Sequence, residues 1–174
     1  MDLLNSGITA LVTLLAVMLG GWLSTRAQDR LWRRDHARQW RDIRLATYRD
    51  FLTAFREYIA FMREPTASIT TAPHPRKAGV SMPFFDEAGR PYVERLEAAK
   101  TAARLVSEWP QTVNALDALV AEARTIASAR ATHGASDVPA EAFEALWAAE
   151  RQFLAQARRE LGLPAMAKGE SGWA

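Results

Sequence analysis

Eight arginines stand between residues 26 and 50: Arg26, Arg30, Arg33, Arg34, Arg38, Arg41, Arg44 and Arg49. Only four aspartates oppose them, Asp29, Asp35, Asp42 and Asp50. None of the basic residues in this stretch is a lysine, and a planar guanidinium suits bidentate contact with phosphate. Trp32, His36, Trp40 and Ile43 fall along one face of the same segment if it is helical. Three chemistries fit this pattern. One is a solvated helix laced by pairs such as Asp29 with Arg33 and Arg38 with Asp42, which doubles as a topology signal. Another is contact of Arg26, Arg30, Arg33 and Arg34 with anionic lipid headgroups, at about 1 kcal/mol per basic residue near the surface. The third, a nucleic-acid footprint, is disfavoured because aspartates are interleaved with the arginines.

The rest of the chain offers little for catalysis. There are no cysteines, which excludes disulfides, thiol nucleophiles and thiolate metal sites. His36, His74 and His133 are too scattered to suggest a ligand set. No phosphate loop, dinucleotide fingerprint, H-E-x-x-H or EF-hand is present, and the paired Glu-x-x-His of di-iron bundles is missing. Glu150 falls near the apolar face of the last helix, where a cationic partner such as Arg56 or Arg124 is expected. A lone carboxylate without a base or nucleophile does not make a reaction. The sequence therefore assigns no catalytic, cofactor-binding or metal-ligating residue, expects no cofactor, and reads as a non-enzymatic protein.

These residues must be positioned by the surrounding elements, beginning with the segment that precedes the arginines. No charged residue occurs between Asp2 and Arg26. About 20 apolar residues at 1.5 Å each cross the ~30 Å hydrocarbon layer, so residues 3–24 are expected to form one transmembrane helix. Asp2 in place of a basic flank and the exit GGWLSTRAQ argue against a cleaved signal peptide. Basic residues follow the apolar run and none precedes it, which places the N-terminus outside and the C-terminal body in the cytoplasm, with the cell membrane as location. Within the run, Ser6, Ala10, Thr13, Ala16 and Gly20 recur at helical spacing and are candidates for transmembrane self-association.

From Thr25 to Glu64 there is no Gly or Pro, so the helix is expected to continue to Pro65. Leu45, Tyr48, Leu52, Phe55, Ile59 and Met62, widened by Phe51, Ala54, Tyr58 and Phe61, form its core face. That register reaches Arg41, Arg38 and Arg34 on the membrane side, which leaves residues 25–43 as a basic stalk. Residues 65–83 hold Pro65, Pro73, Pro75, Gly79 and Pro83 and read as a loop. A second helix, starting near Phe84 or Pro91, faces inward through Tyr92, Leu96, Ala99, Ala103 and Val106. A third uses Val113, Leu116, Val120, Ala123 and Ala127. A fourth follows Pro139 with Phe143, Trp147, Leu154, Ala157 and Leu161. The fold expected is all-α: an N-terminal transmembrane helix continuing into a long helix that packs in an antiparallel four-helix bundle over 44–162, with a frayed tail over 163–174. Phe84, Phe85 and Tyr92, with Met82, are the candidate partner contact, against the simpler role of capping the core.

The apolar anchor, WRRDHARQWRDIRLATYRDFLTAF (32–55), AARLVSEWPQTVNALDAL (102–119) and FEALWAAERQFLAQARRELG (143–162) together resemble small single-pass helical proteins of actinobacteria. The resemblance covers residues 3–162 and implies a high-GC bacterial or phage origin and a membrane-tethered helical domain. It brings no activity, substrate or catalytic residue. The sequence thus reads as a membrane-anchored adaptor or scaffold; the alternative is a phage or envelope-stress protein acting on the membrane, of the lysis-accessory type. Expected partners are the bilayer and either another protein or a second copy, and nucleic acid is not expected.

Overall fold

The computed structural model describes residues 2–74, 81–133 and 138–164 of the chain. Four helices and one small sheet are found among them: α1 (Asp2–Arg63), β1 (Ile69–Pro73), β2 (Ser81–Phe85), α2 (Arg90–Val106), α3 (Pro110–His133) and α4 (Ala140–Glu160). The chain is mainly helical, and it divides into two units, residues 1–42 and 43–174. Among the described residues no helix is long and apolar enough to cross a membrane. In the expected span, residues 3–24, only the side chains of Met18 and Trp22 belong to the described set.

The core belongs to the second unit. Tyr48, Phe51, Ala54, Phe55, Tyr58, Ile59, Phe61 and Met62 of α1 are buried, so α1 turns inward where the arginine-rich stretch ends. Leu45, expected in the core, is instead half exposed. The rings of Tyr48 and Phe51 meet Phe153 of α4 edge-on, at 5.8 and 5.2 Å. Phe61 stacks on Tyr92 of α2 at 4.9 Å. Leu96 and Ala103 of α2 complete that side. On α3 the buried set is broader than the expected stripe: Ala115, Leu119 and Ile126 join Leu116, Val120, Ala123 and Ala127. On α4 Ala157 and Leu161 are buried as expected, but earlier along the helix Leu146 and Phe153 are fully buried while Phe143, Trp147 and Leu154 are only partly covered, a shift by one position there. Alanine occurs on every side of α4, so hydrophobic spacing alone left its angle loosely defined.

Residues 65–83 are not a structureless loop. β1 and β2 pair antiparallel in the register Ile69 with Phe85, Thr70 with Phe84 and Thr71 with Pro83. β-branched Ile69, Thr70 and Thr71 favour the extended chain, and a two-stranded sheet tolerates Pro73 and Pro83 because no third strand requires their missing N–H. Side chains alternate across the hairpin: Ile69 and Phe85 turn to the core, whereas Thr70, Met82 and Phe84 face outward. The second helix accordingly starts at Arg90. Asp86 Oδ1 accepts from Gly89 N–H at 2.9 Å in the turn before it, and Pro91 occupies the first helical turn. A Cβ on Gly89 would stand 2.8 Å from Phe61 Cε1, so glycine is needed there for close approach rather than for its backbone angles. At the far end α4 stops at Gly162, whose φ of 65° is left-handed; the N–H groups of Gly162 and Leu163 close back on the carbonyls of Arg159 and Arg158. The Arg158 guanidinium donates to Pro164 O, fastening residues expected in the tail. Residues 165–174 lie outside the described residues.

Candidate functional site

The densest polar constellation surrounds Glu160, on the last turn of α4. Its side chain is 1% exposed. Tyr48 Oη on α1 donates to Glu160 Oε2 at 2.9 Å. Ser107 Oγ, at the C-cap of α2, donates to the same carboxylate at 3.1 Å, and the backbone N–H of Glu108 reaches Oε1 at 2.7 Å. Arg44 Nε lies 4.0 Å away and donates to Val106 O at 2.9 Å, while the rest of its guanidinium binds the Glu108 carboxylate. The Thr112 hydroxyl is buried here without a hydrogen-bond partner.

Burial alone would raise the Glu160 pKa; the nearby Thr112 hydroxyl, together with donation from Glu108 N–H, Tyr48 and Ser107, outweighs it and holds the carboxyl below its ordinary range. Burial raises Tyr48 well above the usual tyrosine range, with the Glu160 charge adding to it and Ser107 and Arg44 opposing. Glu160 is therefore an ionised acceptor saturated by donors. A carboxylate so occupied has no capacity left to act as a general base, and the arrangement fastens α1, the α2–α3 turn and α4 to one point.

A second polar node lies at the other end of the core. Arg130 of α3 is 6% exposed and donates from Nη2 to Glu64 O at 2.7 Å and Ala67 O at 3.3 Å, satisfying carbonyls just past the end of α1. Flanking ion pairs tie neighbours together: Lys100 and Arg104 with Asp117, Arg95 with Glu57, and Arg124 with Glu97. Glu150 pairs with Arg56 at 3.4 Å, one of its two expected partners. An open groove of about 480 Å³ lies between α1 and α2, floored by Ala54, Ala98, Ala99 and Ala102.

The expected partner-contact residues are split by the hairpin. Phe85 is buried against Tyr58 and Phe61, and Tyr92 is half-buried against Phe61, so both serve the core. Phe84 is 55% exposed and Met82 lies beside it on the outer face. The side chains of Arg26, Arg30, Arg33 and Arg34, and of Ser6, Ala10, Thr13, Ala16 and Gly20, lie outside the described residues. In the first unit the structure joins the expected aromatic row. The rings of Trp32 and His36 stack at 5.1 Å, and Trp40 Nε1–H donates to His36 Nε2 at 2.9 Å. Arg38 pairs at 3.9 Å with Asp35 in place of the expected Asp42. Among the described residues no cluster of His, Asp and Glu could hold a metal ion.

Sequence reasoning missed both Glu160 and Arg130, although a signal existed. Glu160 follows buried Phe153 by seven residues and Arg130 follows buried Ala123 by seven, so each charge repeats the core register of its helix. No family model matches the chain, and neither a curated protein nor a solved structure matches it.

Proposed function

We propose that this chain is a single-pass membrane protein, with residues 3–24 as its span and the N-terminus outside, whose cytoplasmic four-helix bundle acts as a non-enzymatic adaptor or scaffold. The observation that carries the reading is α1 itself: helix runs from Asp2 to Arg63, so the charge-free run of residues 3–25, the arginine-rich stretch and the core-facing segment belong to one element. Arginines following the apolar run support cytoplasmic retention of the body. The dominant polar sites support an architectural role, since Glu160 and Arg130 spend their hydrogen bonds on holding helices in place. The outer face of the hairpin, Phe84 with Met82, is the surface offered to a protein partner.

The test is a crosslinking pulldown from native membranes through a C-terminal tag, comparing the full chain with one beginning at Thr25. Specific partners that require residues 1–24 support the scaffold reading. Recovery of the full chain in the soluble fraction after alkaline extraction refutes the anchor. Copurification of a small-molecule substrate refutes the non-enzymatic assignment. Capture of the chain alone, together with depolarisation of expressing cells, transfers the reading to a protein acting on the membrane.

A further inference from the structure

The first unit carries an aromatic stripe that its own residues leave exposed. Met18 is 65% exposed, Trp22 54%, Trp32 67% and Trp40 40%. At about 100° per residue, these four and His36 all fall within an arc of roughly 80° on α1. Among the described side chains of this unit they are the exposed large hydrophobic residues. Between residues 32 and 40 the stripe is joined, because His36 stacks on Trp32 and accepts from Trp40.

The charges divide about this stripe. By helical register Arg26, Arg30, Arg33, Arg34 and Arg41 occupy the flank beyond Trp40, within an arc of about 100°. Asp35 and Asp42 occupy the other flank, where Arg38 is drawn to Asp35. When two identical helices lie parallel and share one stripe as their seam, the flank to one side of the seam meets the opposite flank of the partner. Here that brings an arginine flank against an aspartate flank on both sides. An antiparallel pair would set arginine against arginine. Thr25 and Gln39 interrupt the seam with polar positions, which fix register at some expense of affinity, and Asp29 meets its own copy across it, a like-charge contact that weakens the pair.

We propose that residues 18–42 of α1 form the seam of a parallel homodimer, with a second copy of this chain covering Trp22, Trp32, His36 and Trp40. The seam lies on a different side of the helix from the small-residue row Ser6 to Gly20, so it is separate from the transmembrane contact considered above. Met18 and Trp22 fall in the last turns of the proposed span, whereas Trp32, His36 and Trp40 lie beyond it.

Because the chain has no cysteine, single substitutions report the seam without background. In detergent, the full chain carrying His36→Cys should form a disulfide-linked dimer under mild oxidation. Arg34→Cys, about 160° away around the helix, should not, because a disulfide needs Cα atoms within about 7 Å. The unmodified chain should show twice its 19.4 kDa mass, and Trp32→Ala should weaken association at least about tenfold while helix content is kept. Equal crosslinking at positions 34 and 36 overturns the proposal, as does a monomeric mass at high protein concentration. Failure of His36→Cys to crosslink, with Trp32 fluorescence quenched by brominated lipid in reconstituted vesicles, also overturns it and assigns the stripe to the lipid surface. Failure of the anchor under alkaline extraction leaves the detergent result untouched, so the two readings fail separately.

Discussion

Replacing Glu160 by glutamine tests the reasoning about the second unit most directly, because the shape is kept while charge and one acceptor are lost. The amide oxygen can occupy only one of the two carboxylate positions. Placed where Oε2 accepts from Tyr48 and Ser107, it turns the NH2 group against the Glu108 N–H that now lies 2.7 Å from Oε1. Placed the other way, it keeps Glu108 but turns NH2 toward two hydroxyls, of which one can reorient to accept. Either arrangement orphans a buried donor at about 1–3 kcal/mol and weakens the remaining bonds from charge-assisted to neutral. A net loss of about 3 kcal/mol follows, which in a unit of this size lowers the melting temperature by roughly 8 °C. Thermal unfolding by circular dichroism reads it. The pH dependence supplies the sign. The folded-state pKa of Glu160 lies below its ordinary value of 4.5, so its contribution is complete above that value and is lost as pH falls through the lowered folded pKa. The gap between the parent chain and Glu160→Gln should therefore be constant at neutral pH and close in strong acid. A shift under about 2 °C, or a gap that persists unchanged in acid, refutes the carboxylate as the fastening point.

Phe85→Ala should cost about 3–4 kcal/mol in chemical denaturation, since it empties a site packed by Tyr58 and Phe61. Phe84→Ala should change stability by less than about 0.5 kcal/mol and instead reduce recovery of the partner in the pulldown. Arg130→Met should cost about 2 kcal/mol by leaving Glu64 O and Ala67 O without their donor, measured by urea unfolding. Gly89→Ala should cost about 1–3 kcal/mol by forcing Phe61 or Phe85 aside, although its backbone conformation suits any residue. Glu150→Gln should change the melting temperature by no more than the equivalent of about 1 kcal/mol, because its partner Arg56 is 62% exposed.

Helices were the most legible part of the sequence. Pro65, Pro110 and Pro139 punctuate them, and the expected inward residues of α1 and α3 are largely the buried ones, whereas on α2 only Leu96 and Ala103 of the expected five are buried. The hairpin was not legible because Pro73, Pro75 and Pro83 read as breakers. The opposing signal, a β-branched triplet at Ile69–Thr71 matched by Phe84–Phe85, is short and depends on a pairing partner ten or more residues away. At Trp147 and Leu154 the face of α4 is displaced by one position, to Leu146 and Phe153, because alanines at 142, 145, 148, 149, 155 and 157 make several angles nearly equal in apolar area, whereas Ala157 and Leu161 are buried as expected. The carboxylate near that face was recognised at Glu150, where spacing put it beside Trp147. Glu160 was overlooked because it lies close to Gly162, where helix-end charges ordinarily face water.

The same degeneracy explains why the core needs its two polar nodes. Alanine-rich helices can slide or rotate past one another with small changes in buried area, so hydrophobic burial alone leaves their relative register soft. Hydrogen bonds to ionised groups do not share that tolerance, since a shift of one residue leaves a buried charge unpaired at several kcal/mol. Glu160 fixes α4 against Tyr48 of α1 and the Ser107–Glu108 turn, and Arg130 fixes α3 against the end of α1 and the approach to β1. The two nodes touch residue 48 on α1 and residue 64 just past its end, which bracket the buried run from Phe51 to Met62. With both ends of that run pinned, the rotation of α1 is set for its whole core-facing length. The polar nodes thus select one packing from several that the apolar faces would accept, and the aromatic core then fills the space they define.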